Sequence, residues 1–164
     1  MLWPCPMMPA PDPGGTGAGF ACVLAADPLS VRAGLALMFS KAPLSLLAPD
    51  HRTTAEVVLA EVLNNIVEHA YAERQGSISV TMRRTGAGLE CLVTDEGNPM
   101  PGGQLPVGKH PAQREGFPDL RLGDMQLGDL PEGGFGWYLI RRLTRDLEYS
   151  RHGQQNRLGF VVPI

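Results

Sequence analysis

"AEVLNNIVEHAY", residues 60–71, reads as the middle of a helix that carries two adjacent asparagines. Asparagine is a poor helix-interior residue because its amide competes for backbone hydrogen bonds. Asn64 and Asn65 therefore raise the question of what their side chains do. Residues four apart stack on one face of a helix. Val58, Val62, Ile66 and Ala70 form one such line, Leu59 and Leu63 a second, and Glu61, Asn65 and His69 a third. The two apolar lines can bury the helix against a sheet. The polar line is then left at the edge of the core, within reach of a ligand. The plain alternative is that Asn65 and His69 are solvated or bonded back to their own helix.

Working outward, Thr53 or Thr54 is the expected cap of this helix, from a loose capping-box match in Thr53-Thr54-Ala55-Glu56, and the helix should run to about Glu73. Upstream, Phe20–Ala25 is a short apolar run that predicts a strand. Pro28–Phe39 predicts a helix with Asp27 as N-cap and Pro28 at its first position. Downstream, Ser77–Arg84 and Leu89–Thr94 alternate as strands, and Gly86-Ala87-Gly88 joins them as a hairpin. Gly134–Leu143 reads as a helix reached through glycines. Leu147–Ser150 and Leu158–Val162 read as a closing strand pair. Helices mixed with antiparallel hairpins predict an α+β fold, with helices on one face of a sheet.

The chain has 164 residues, which favours one domain and allows a real core. Residues 1–18 are rich in Pro and Gly and predict a disordered tail, leaving 19–164 as the folded domain. A net charge of −3 gives no global attraction to nucleic acid or anionic lipid. Cys5, Cys22 and Cys91 are odd in number and form no CxxC pair, which argues against a disulfide framework or zinc knuckle. The start lacks a signal-peptide pattern, and Lys41 and Pro43 interrupt the richest apolar stretch, so no membrane span is expected. These features predict a cytoplasmic protein.

Two further clusters bear on chemistry. In "VTDEGNPM" (93–100), Asp95 follows an alternating strand and Gly97 stands two residues on. A carboxylate there can accept a hydrogen bond from the exocyclic amine of a base, and a glycine lets the backbone approach the ligand. A simple turn is the alternative reading. In "LPEGGFGWYLI" (130–140), Gly133, Gly134 and Gly136 precede a helix. Backbone N–H groups at such a helix start suit an anion, usually phosphate. A flexible hinge is the alternative. No GxxxxGK[ST] motif is present, which sets aside P-loop chemistry. Between these clusters, Asn98 to Pro131 is dense in Gly, Pro and Asp and too long for a plain connector.

Together the order and residue types resemble the GHKL ATP-binding superfamily of histidine kinases, gyrase-type topoisomerases and Hsp90-type chaperones. "EVLNNIVEHAY" resembles its N box, "DEGNPM" the DxGxP form of its G1 box, and "EGGFGWYLI" its G2 box. Within it the pattern looks most like the anti-sigma factor serine kinases of the RsbW and SpoIIAB type: a glutamate four residues before the N-box asparagine, a histidine four after, and a DxGxP box. The resemblance covers about residues 20–164. It implies a Bergerat-type two-layer sandwich, with helices on one face of a mixed, mostly antiparallel sheet and an ATP lid at about 98–131.

By that resemblance Asn65 would bind Mg²⁺, Glu61 would be the general base for a serine hydroxyl, and Asp95 would read the adenine amino group. Gly97 would lie beneath the base. Gly133, Gly134, Phe135 and Gly136 would form the phosphate cradle, and His69 matches the family pattern near the nucleotide. Phosphoryl transfer chiefly needs positioning and charge neutralisation, which one base and one Mg²⁺ can supply. The implied activity is that of an ATP-dependent protein serine/threonine kinase. The implied partners are a sigma factor and a STAS-type anti-anti-sigma protein, with a possible homodimer by analogy and neither nucleic acid nor membrane.

Three features depart from the pattern. Glu132 stands where many relatives have a basic residue. The last strand, "QNRLGFVV", lacks the threonine or serine many carry near phosphate or adenine, and Asn156 is the candidate substitute. The 98–131 stretch is longer than in compact anti-sigma kinases. A nucleotide-dependent binding module without kinase activity, and a histidine-kinase-like catalytic domain, are the two alternatives. No His of the chain is followed by Glu or Asp, as a phospho-acceptor box would require.

Overall fold

A computed structural model describes residues 19–72, 74–108 and 135–164. Strand β1 (Gly19–Ala25) leads into helix α1 (Pro28–Phe39). Asp27 caps α1 as the sequence predicts: its carboxylate accepts from the Ser30 N–H at 2.9 Å, and Pro28 occupies the first turn, where its missing N–H costs nothing.

Helix α2 (Pro49–Asn65) starts four residues before Thr53. Neither threonine caps it. Thr53 and Thr54 instead donate back to the carbonyls of Pro49 and Asp50, both at 3.0 Å. Pro49, with its preset φ, begins the helix after an extended Ala48. The apolar lines read from the sequence hold. Val58, Leu59, Val62 and Leu63 are fully buried, so truncating Leu59 to alanine would cost about 2–5 kcal/mol.

After Asn65 the helix widens. Ile66–Tyr71 is a π-helical turn and ends at Ala72 with φ +22°. Ile66 and Ala70 of the apolar line stay buried through this turn. His69 is exposed, so the line drawn through Glu61, Asn65 and His69 does not stay at the core edge beyond Asn65.

Strands β2 (Ser77–Thr85) and β3 (Gly88–Asp95) form the expected hairpin. Helix α3 (Gly136–Leu143) precedes a second hairpin, β4 (Arg145–His152) and β5 (Gln155–Val162). Both strands of that pair are longer than their apolar cores suggested. The sheet order is β1-β2-β3-β5-β4. All four pairings are antiparallel, so the sheet is antiparallel throughout rather than mixed.

Alternation puts Ile78, Val80, Met82, Leu89, Cys91, Val93, Leu158, Phe160 and Val162 on one face, where they share a core with Val31, Met38, Leu59, Leu63 and Ile140 of the helices. The result is the expected α+β sandwich of one helical layer on one sheet. Burial pushes the Cys91 thiol up to about 12, so it is an inert core group. Among the described residues no helix is long and apolar enough to cross a membrane.

Candidate nucleotide-binding site

The end of α2 and the π turn that follows it are packed by two other segments. On one side stands the loop after β3. Asp95, the last residue of β3, is buried, and its Oδ1 accepts from the Gly97 N–H and from Asn156 Nδ2, both at 2.8 Å. Gly97 has no room for a side chain: an ideal Cβ there would lie 2.6 Å from the Ala70 carbonyl oxygen and 2.7 Å from the Ala70 Cβ. The next residue donates its N–H to the same carbonyl, Asn98 to Ala70, at 2.8 Å. Tyr71 completes the seam. Its hydroxyl accepts from the Glu96 N–H and donates to the Ser77 carbonyl, each at 2.9 Å.

On the other side stands the start of α3. A Cβ built on Gly136 would run into Glu61 Oε2 and would lie 3.4 Å from Asn65 Nδ2. Glu61 and Asn65, one turn apart on α2, thus face the beginning of α3 together. Asn65 Nδ2 is buried and has no hydrogen-bond partner among the described residues. Such a group costs roughly 1–3 kcal/mol unless something satisfies it. Glu61 is partly buried. Desolvation pushes its carboxyl pKa above the ordinary value, and the nearby charge of Glu68 pushes it the same way.

Asn64 takes a different direction. It lines a cavity of about 530 Å³ between α1 and α2, together with Val31, Leu35, Phe39, Arg52 and Glu56. The two asparagines of the helix therefore serve different surfaces, as their 100° offset requires.

The stretch from Asn98 onward is anchored where it is described. Met100 donates its N–H to the Tyr149 hydroxyl at 3.1 Å. Arg141 of α3 donates to the carbonyls of Pro106 (2.7 Å) and Leu105 (3.1 Å). Gly108, at φ +77°, sits so close to α3 that a Cβ would lie 2.5 Å from the Tyr138 nitrogen. Gly133, Gly134 and the rest of the expected lid lie outside the described residues. Phe135 is buried, and its carbonyl accepts from Leu139 at 2.9 Å to begin α3.

A family model for the histidine kinase-like ATPase domain matches residues 24–162, nearly the whole folded part. The chain belongs to this family. A histidine kinase-like ATPase domain is an ATP-binding module; of the motif residues named from the sequence, Glu61 and Asn65 lie against Gly136, and Gly97 lies against Ala70. Among solved structures, the chain is similar to the histidine kinase domain from Erythrobacter litoralis EL346 blue-light activated histidine kinase, at 19% identity and a TM-score of 0.44, covering 70% of this chain and 45% of that one. It thus spans less than half of that chain. None of the curated proteins matches it.

The residues present fit the ATP that this domain family implies. An orphaned buried amide nitrogen at Asn65 and a buried carboxylate at a strand end are polar groups that a nucleotide would satisfy. Asp95 would take the base, the α3 start with Gly136 the phosphates, and Asn65 a Mg²⁺. Among the described residues no group of three His, Cys, Asp or Glu could hold a metal by itself. A hard cation here would complete its shell with phosphate oxygens and water, as Mg²⁺ commonly does.

Sequence reasoning did not find Tyr71, Tyr149 or Arg151. Arg151 Nη1 donates to Asn156 Oδ1 at 2.6 Å and to the Gly97 carbonyl at 3.0 Å. Tyr149 donates its hydroxyl to Asn156 Oδ1 at 2.7 Å. Their only sequence signal was a polar residue at alternate positions of β4, which any solvated edge strand shows. Asn156, the suggested substitute on the last strand, does lie beside Asp95.

Proposed function

We propose that this domain binds Mg-ATP and serves as an anti-sigma regulatory factor, with serine/threonine kinase activity toward a STAS-type partner. The observation that carries the reading is the meeting of Glu61, Asn65 and Gly136. It puts a carboxylate of raised pKa one helical turn from the proposed metal ligand and against the start of the proposed phosphate cradle. A base with a pKa shifted toward neutrality is better matched to a hydroxyl proton than an ordinary glutamate.

Bound ATP with Mg²⁺ would supply the phosphoryl group and neutralise its charge. The chain's own residues would position the reaction. Asp95 would fix the base, Asn65 would hold the metal, and Glu61 would orient the incoming serine hydroxyl and accept its proton as the new Oγ–P bond forms and ADP leaves. Sigma-factor capture and a homodimer belong to the same reading.

Two measurements test it. Calorimetric titration of Mg-ATP should show binding to wild type and much weaker binding to Asn65→Ala. Incubation with γ-labelled ATP and a STAS-type protein should then yield an acid-stable phosphate, lost in Glu61→Ala while nucleotide binding persists. Equal transfer by the Glu61→Ala protein overturns the base assignment. An acid-labile product would move the reading to a histidine acceptor. Binding without any product would leave a nucleotide-dependent partner-binding module.

A further inference from the structure

Asn156 is one of only two buried polar or charged residues among those described, and the other is Asp95. They are register partners on β3 and β5. The orientation of the Asn156 amide follows from its neighbours. Arg151 can only donate, and it donates to Oδ1. The Tyr149 hydroxyl already accepts from the Met100 N–H, so its own proton goes to Oδ1 as well. Nδ2 is therefore forced toward the opposite side. There it donates to Asp95 Oδ1 at 2.8 Å and to the Asn98 carbonyl at 3.0 Å, with the Gly97 carbonyl at 3.4 Å.

The consequence falls on Asp95. Its Oδ1 is committed to two donors, Gly97 N–H and Asn156 Nδ2. No hydrogen bond among the described residues uses Oδ2. With Oδ1 taking both donors, Oδ2 is left as an acceptor held in a fixed place. Such a group accepts from a 6-amino purine and repels the carbonyl oxygen of a 6-oxo purine.

We propose that Arg151 and Tyr149, acting through Asn156, lock Asp95 in this acceptor-only orientation and so set the preference for amino over oxo purine nucleotides. Arg151 and Asn156 are positioning residues, and neither needs to touch the base. The inference rests on the nucleotide-binding reading of the site.

The test compares ADP with inosine diphosphate, which differ at the purine 6-position, by calorimetry. Wild type should prefer ADP by roughly tenfold or more, the scale of one well-placed hydrogen bond to a charged group. Arg151 lies on the edge strand β4, only partly buried, so Arg151→Met should fold. It removes one of the two donors that orient the amide, leaving only the Tyr149 hydroxyl, and should cut the ADP preference severalfold, mainly by weakening ADP. Arg151→Lys, which keeps one donor, should restore much of it. Asn156→Leu should abolish the preference. An unchanged ratio in Arg151→Met and Asn156→Leu, or an equal loss for both nucleotides, overturns the inference and leaves ATP binding intact. Failure of wild type to bind either nucleotide would overturn the nucleotide-binding reading and this inference together.

Discussion

Gly136 lies against Glu61: the start of α3 approaches α2 so closely that a methyl group on this glycine would overlap the glutamate carboxylate. Gly136→Ala separates stability from chemistry. The obstructing atom is the far end of a flexible side chain, so the carboxylate can swing aside, and alanine is the better helix former. Melting temperature should hold or rise slightly. Phosphoryl transfer to a STAS-type substrate should fall by about tenfold or more, because the displaced base no longer meets the hydroxyl. A variant with full transfer activity would show that the position of Glu61 does not matter.

The raised Glu61 pKa makes two pH predictions. If Glu61 is the proposed base it works only when ionised, so the acid limb of the rate profile should lie above the ordinary glutamate value of 4.5. Desolvation is the larger cause and Glu68 the smaller, so Glu68→Gln should move that limb to lower pH without erasing the shift. For stability the sign is opposite to a salt-bridged acid. The folded state holds the proton more tightly, so the contribution is present below the unfolded pKa and is lost as pH rises through the raised value. Glu61→Gln should therefore be at least as stable as wild type at neutral pH, which thermal melts across pH would read directly.

Asn65→Ala should likewise not destabilise the fold. The substitution removes an amide whose buried Nδ2 has no partner among the described residues and replaces it with a stronger helix former. If Asn65 holds the metal, ATP affinity in this variant should lose its dependence on Mg²⁺. The wild-type protein should weaken markedly when EDTA strips the cation. A drop in melting temperature by several degrees would instead mark Asn65 as a structural residue.

Tyr71→Phe tests the seam between α2 and the Asp95 loop. It strands the Glu96 N–H and the Ser77 carbonyl at once, where the ring remains packed against Gly76. The cost should be about 1–3 kcal/mol, seen as a lower midpoint in urea with little change in slope. Nucleotide affinity should fall too, because the loop carrying Asp95 and Gly97 loses a tie to α2. A silent substitution would mean that the seam is held by Gly97 and Asn98 on Ala70 alone.

The local elements were legible because their causes are local. Apolar residues at helical spacing buried Val58, Leu59, Val62 and Leu63, alternation placed Ile78, Val80 and Met82 inward, and Asp27-Pro28 started α1 as a cap and first turn should. The motif residues Glu61, Asn65, Asp95, Gly97 and Gly136 were also visible, since each stands in a short recognisable pattern. The Thr53 cap failed because Pro49, with its fixed φ, already starts the helix.

Two features needed the folded molecule. His69 falls in the π turn after Asn65 and is exposed, and nothing in a 3.6-residue period announces where a helix will widen. The lock on Asp95 joins residues 61 positions apart through the pairing of β3 with β5. Sequence alone determined where most helices and strands lie and which few polar side chains stand in motif positions. Strand order and register decided which of those side chains touch, because hydrogen bonds between distant residues depend on where the sheet brings their backbones, and local patterning does not encode that.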